Sequence, residues 1–81
     1  MSNQQIADKV LAYHSDWMHN NEEVSFFNMF QQYNNLAKTK DLKLLQAVHR
    51  HVSADLIHGI HTIGMEKIEA WFTEQNGANE E

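Results

Sequence analysis

The sequence predicts an all-α fold, a small antiparallel bundle of three to four helices that is completed by self-association. Apolar residues recur at intervals of three and four along most of the chain, which is the repeat of an α-helix. The 81 residues include no proline and only three glycines, so few positions interrupt a helix. No alternating run is long enough for a strand. We expect helices at about 3–19, 22–38, 41–63 and 65–75, within one domain spanning residues 1–81.

The first predicted helix has a clear start and a regular apolar stripe. Ser2 or Asn3 can cap it, because a side-chain oxygen of either residue accepts a hydrogen bond from a free backbone N–H. The stripe that follows repeats by four, three and four: Ile6, Val10, Tyr13 and Trp17. His14 falls inside this apolar arc, so we interpret it as a histidine at the edge of the core with one hydrogen-bond partner.

The second predicted helix follows a corner at Asn20 and Asn21, since asparagine tolerates turn conformations. Asn20 with Glu23 approximates a capping box and is the start we favour, and Ser25 is the alternative cap. Six apolar positions then share one face: Phe26, Met29, Phe30, Tyr33, Leu36 and Ala37. Phe27 lies outside this stripe, which makes it a candidate for an exposed contact residue.

The polar face of the second helix is uncharged and rich in amides, among them Gln31 and Asn34. A neutral face suits close approach by another protein better than a charged face does. We therefore include both residues in a predicted partner-binding set, which comprises Phe27, Trp71, Phe72, Met65, Gln31 and Asn34.

The last predicted helices meet at Gly64, where the phase of the apolar stripe changes. Either the chain breaks or kinks at Gly64, or one helix continues through it with a second buried face that another subunit covers. Thr39 or Asp41 can cap the third helix, whose stripe holds one phase for over five turns: Leu42, Leu45, Val48, Val52, Leu56, Ile60 and Ile63. A split at Ser53 is an alternative, and we favour one helix running to Gly64. A second stripe follows, comprising Met65, Ile68 and Phe72, with Trp71 between the two phases. Gly77 predicts the end of the last helix and a frayed acidic tail at 77–81.

Six histidines are many for a chain of this length. His51, Asp55 and His58 lie at i, i+4 and i+7, His61 flanks them, and imidazole and carboxylate are ligands for divalent transition metals. Residues seven apart on a helix are about 10 Å apart, so one ion cannot take both His51 and His58. A metal site here needs ligands from elsewhere in the protein. No catalytic motif accompanies these residues, so we do not expect an enzyme.

Composition narrows the classes of partner and the location. Eleven acidic residues against six basic ones give a net charge of −5, which disfavours nucleic acid despite a local group of four cations. That group comprises Lys38, Lys40, Lys43 and Arg50. The sequence shows no apolar run of membrane-spanning length and no signal peptide, so we expect a cytoplasmic protein.

The function that these observations favour is a small acidic helical interaction module. We expect it to act as a regulator or inhibitor by binding another protein, and to form a homodimer or another homo-oligomer, since so small a core gains from association. Two alternatives remain open at this point. One is a metal-binding or pH-sensing protein based on histidine, and the other is a dimeric helical DNA-binding regulator.

Overall fold

Four helices account for the fold. The computed structural model describes residues 2–80, and it describes their side chains from residue 2 to residue 75. The helices are α1 (Asn3–Asn20), α2 (Glu23–Lys38), α3 (Leu42–Ile63) and α4 (Met65–Glu80). No strand occurs in this part of the chain, so the predicted all-α class is confirmed. The helix α4 continues through Gly77, where the sequence predicted its end, and the side chains of the predicted tail lie outside the described residues.

Two of the predicted caps are present. Ser2 forms a capping box with Gln5: its hydroxyl accepts from the Gln5 N–H at 3.2 Å, and the Gln5 side chain accepts from the Ser2 N–H at 2.9 Å. Asp41 caps α3 through its Oδ1, which accepts from the Leu44 N–H at 3.3 Å. Both caps depend on short-range hydrogen bonds, which explains why the sequence alone predicts them.

The turn between α1 and α2 differs from the prediction. Asn21 ends α1 in the left-handed conformation, with φ 55°, and its N–H donates to the Trp17 carbonyl at 2.9 Å. Glu22 is the N-cap of α2 and makes no side-chain cap. Neither Asn20 nor Ser25 starts the helix, so both predicted starts are wrong. The asparagine pair serves the end of one helix instead of the start of the next.

Contacts between side chains define the order of the helices in space. The pairs Asn3–Asp41 and His14–Asp55 join α1 and α3 at corresponding heights, so these helices run parallel. In the same way Glu23–Lys67 and Phe27–Trp71 show that α2 and α4 run parallel, and both are antiparallel to α3. The helices α2 and α3 each contact both outer helices, α1 and α4. The Cα atoms span 32 × 30 × 17 Å, which corresponds to two layers of helices.

A close contact between Phe26 and Gly59 joins the start of α2 to the last part of α3. Phe26 is fully buried, and a Cβ added to Gly59 would lie 2.6 and 2.7 Å from two carbons of its ring. The glycine therefore lets the ring lie directly against the α3 backbone. Together with Phe26, buried apolar residues from all four helices form the core: Ala7, Val10, Trp17, Phe27, Met29, Leu36, Val48, Val52, Leu56 and Ile68.

Gly64 and Leu42 each test part of the predicted stripes. Gly64 has φ 96°, a conformation that side chains rarely adopt, and it separates α3 from α4, so of the two alternatives the break at Gly64 is the one observed. The chain does not break at Ser53, which lies within α3. Leu42, the first residue of the predicted α3 stripe, is 73% exposed, so its assignment to the core is wrong. At the first turn of α3 the neighbouring helices do not cover it.

Candidate functional site

The predicted exposed position of Phe27 is wrong, and its surroundings identify where α4 attaches. Phe27 is only 5% exposed, and its ring stacks on Trp71 with the centroids 5.3 Å apart. One turn further along, Phe30 meets Phe72 edge-on at 5.5 Å. Helical spacing places Phe27 beside the stripe and not within it. Residues within and beside the stripe both contact α4, Phe30 through Phe72 and Phe27 through Trp71.

Beyond this aromatic layer α2 and α4 enclose an open groove, which we call the amide groove. Its volume is about 600 Å³, within the range of ordinary binding clefts. The described residues that line it are Gln31, Asn34, Asn35, Ala37, Lys38 and Phe72.

The amide groove brings together three of the six predicted partner-binding residues. Gln31, Asn34 and Phe72 line it, whereas Phe27 and Trp71 form the stacked pair above it. Met65 lies apart from this groove: it is 46% exposed at the start of α4 and lines a separate open depression beside Gly64. The predicted set therefore divides into a groove, an internal contact and one distant residue.

Three further lining residues, Asn35, Ala37 and Lys38, were not in the predicted set. Asn35 belongs to the same amide-rich face as Gln31 and Asn34, so the composition of that face already contained the signal for it. Lys38 is the last residue of α2 and supplies the only ionisable side chain among the described lining residues. Its position beside the groove depends on how α4 packs against α2, which the sequence does not show.

The predicted metal ligands are not brought together around one point. Asp55 contacts His14 of α1 at 2.7 Å, while His51, His58 and His61 are exposed on α3. Among the residues whose side chains the structure describes, no group of three or more histidine, aspartate or glutamate side chains is arranged to hold a metal ion.

His14 confirms the interpretation made from its place in the apolar arc. Its side chain is 16% exposed, and its Nε2 makes the hydrogen bond with the Asp55 carboxylate across 41 residues of sequence. This contact ties α1 to α3 at the edge of the core. Asp55 is therefore a hydrogen-bond partner of His14, and its carboxylate is not free on the histidine face as a metal ligand.

A second histidine contact joins α2 to α3. The Tyr33 hydroxyl and His49 Nδ1 lie 2.7 Å apart, and the rings are close, with centroids separated by 6.1 Å. Partial burial raises the pKa of Tyr33 above its ordinary value, because burial penalises the charged phenolate. This pair joins α2 to α3 through a hydrogen bond and close rings, so we assign it to helix packing.

Comparisons with known proteins identify no relative of this chain. Family models, curated proteins and solved structures all lack a significant match to this chain. Within the described residues, no helix combines the length and the apolar character that crossing a membrane requires. The function therefore has to be argued from the geometry of the amide groove itself.

Proposed function

We propose that this protein is an interaction module that binds an extended segment of another protein in the amide groove and thereby regulates that protein. The observation that carries the proposal is the convergence of Gln31, Asn34 and Phe72 on one open cleft. The ligand that fits has exposed peptide groups, one apolar side chain and a carboxylate. Each of these features has a counterpart in the lining.

The amides match a polypeptide backbone. The side chains of Gln31, Asn34 and Asn35 each offer both a donor and an acceptor, as a peptide group does. Hydrogen bonds of this kind contribute about 1 kcal/mol each, so several together favour an extended chain over an isolated small molecule. Phe72 is half-buried and leaves part of its ring for an apolar side chain of the ligand.

Lys38 is the reason to expect a carboxylate in the ligand. It stands exposed at the end of α2, beside the groove. Its ammonium group is positioned to pair with an acidic side chain or a chain-terminal carboxylate. An exposed pair of this kind contributes up to about 1 kcal/mol and weakens as salt rises. Among the described residues of this lining, no acidic group accompanies Lys38 as a partner for proton transfer, which supports binding over catalysis as the role of this cleft.

Selection from a random peptide library displayed on phage, followed by calorimetric titration of the synthesised peptides, tests the proposal. We expect enriched peptides with an acidic residue near an apolar one, binding to the wild-type chain. The double variant Gln31→Ala with Asn34→Ala should weaken binding by about tenfold or more, because two hydrogen bonds are lost. Lys38→Ala should reduce the affinity further and remove most of its salt dependence.

A matched control uses two exposed amides outside the groove, Asn20 and Gln46. The variant Asn20→Ala with Gln46→Ala should bind the peptides as the wild type does. If no peptide is enriched, or if the groove variant and the control variant bind with the same affinity, the proposal is incorrect.

A further inference from the structure

The edge of the bundle formed by α1 and α3 carries a second groove, separate from the amide groove. Its volume is about 250 Å³ and its surface is mainly apolar. The residues that line it are Gln4, Ala7, Leu11, Leu44, Ala47, Val48 and His51. We propose that this apolar groove is a dimer interface, in which a second copy of the same chain packs its own α1 and α3 against it.

The shape of the apolar groove suits the approach of another helix. Each wall contributes an alanine, Ala7 from α1 and Ala47 from α3, and small side chains let a helix pack closely. Leu11 and Leu44 are only half-buried within the single chain. Burial of these two leucines would remove apolar surface from water.

Charge identifies a second copy as the occupant. On the α1 side, Asp8 lies one turn from Gln4 and hydrogen-bonds its side chain at 3.0 Å, so a carboxylate flanks this wall. On the α3 side, Lys43 and Arg50 stand four residues before and three after Ala47, so two exposed cations flank the other wall. One wall is acidic and the other is basic, and such a surface is complementary to itself.

The parallel course of α1 and α3 makes this complementarity symmetric. A two-fold axis parallel to the helices places α1 of one copy against α3 of the other, and the converse contact follows by symmetry. Asp8 of each copy then faces Lys43 and Arg50 of the second copy. The amide groove belongs to α2 and α4 and is left open in both copies. The dimer interface therefore stands independently of the proposed function.

Sedimentation equilibrium of the full chain over micromolar to millimolar concentrations tests this interface. We expect the wild type to approach twice the mass of the 9.5 kDa chain. Ala47→Gln places a larger polar side chain in the groove and should weaken association by about tenfold or more. Ala47 is exposed in the single chain, so the fold should be unaffected. The control Ala70→Gln, also at an exposed alanine, should associate as the wild type does.

Charge exchange tests the pairing of the walls. Asp8→Lys alone, or Lys43→Glu with Arg50→Glu, should yield monomers through repulsion, and the three substitutions combined should restore the dimer. Without any variant, dilution of the wild type should shift the NMR signals of the apolar groove residues. A wild type that is monomeric at every concentration, an Ala47→Gln variant that associates normally, or a triple variant that stays monomeric would overturn the proposal.

Discussion

Phe26 and Phe27 are neighbours in sequence, and they attach α2 to two different parts of the bundle. Phe26 is completely buried between Trp17 and Gly59, and its position depends on the absence of a side chain on α3. Phe27 is buried by Trp71, a ring that is itself half-exposed. The first contact is a close approach to backbone, whereas the second is ring against ring.

This difference indicates two levels of packing in the molecule. Around Phe26, α1, α2 and α3 approach closely, and the space for each side chain is tightly defined. Around Phe27, the attachment of α4 to α2 depends on a few aromatic contacts and on the exposed ion pair between Glu23 and Lys67 at 2.9 Å. We expect the three-helix part to decide global stability and α4 to open more easily.

The largest effect should come from Gly59→Ala, because the new methyl group would overlap the Phe26 ring. Overpacking of this kind costs about 1–3 kcal/mol, and here it exceeds the gain of about 1 kcal/mol from replacing glycine within a helix. Because the overlap is with a fully buried ring, we take the cost at the upper end of this range, about 3 kcal/mol. The net loss in the free energy of unfolding, measured by urea denaturation, should then be about 2 kcal/mol. Phe26→Leu in the same chain should restore part of the loss by removing ring atoms, and a Gly59→Ala variant as stable as the wild type would contradict the close approach.

The next effect concerns α4. Trp71→Ala removes the partner of Phe27 and an edge-on contact with Phe72. Because Trp71 is only half-buried, the free energy of unfolding should fall by about 1.5 kcal/mol, less than for loss of a fully buried ring. Hydrogen exchange should accelerate in α4 and remain slow in α3 around Val52. Equal acceleration in both helices would show that the bundle unfolds as a single unit.

A smaller effect is expected at the contact between α1 and α3. Asp55→Ala leaves the partly buried His14 without its partner, so the free energy of unfolding should fall by about 1 kcal/mol. Asp16→Ala, at an exposed position of α1, is the matched control and should change little. Both are measured by urea denaturation, and an equal response of the two variants would mean that the His14–Asp55 contact contributes nothing.

Tyr33 should produce a still smaller effect, confined to high pH. Its pKa is raised by burial, so the folded state keeps its proton where the unfolded state loses it, above the ordinary value of 10.0. The contribution of Tyr33 is therefore complete below pH 10 and is lost as pH rises through the folded pKa. In the variant Tyr33→Phe, the part of the stability loss at high pH that comes from Tyr33 should disappear. The absorbance titration of the phenolates should also lose one step.

Divalent metal should have the smallest effect of all. Adding Zn²⁺ should leave the melting temperature of the wild type unchanged, because no three donor side chains converge within the described part of the chain. Thermal denaturation with and without the ion measures this. A rise that disappears in the double variant His51→Ala with His58→Ala would instead support the metal-binding alternative.

The predicted partner-binding set and the lining of the amide groove overlap in part, for a physical reason. Gln31 and Asn34 belong to both because they lie on one face of one helix, which depends only on helical spacing. The place of Phe72 next to them depends on how α4 packs. Phe27 was misplaced because a single stripe was taken as the whole buried surface of α2. The helix is covered on two faces, and spacing within it does not show how many neighbours it has.

The sequence by itself determined the four helices and most of their ends, because periodicity, capping side chains and the phase change at Gly64 act over a few residues. Only the tertiary structure decided that Gly59 admits the Phe26 ring, that Phe27 lies under Trp71, and that His14 pairs with Asp55. It also decided that two grooves open on opposite pairs of helices. These features join residues far apart in the chain, and their partners are fixed by the way whole helices pack.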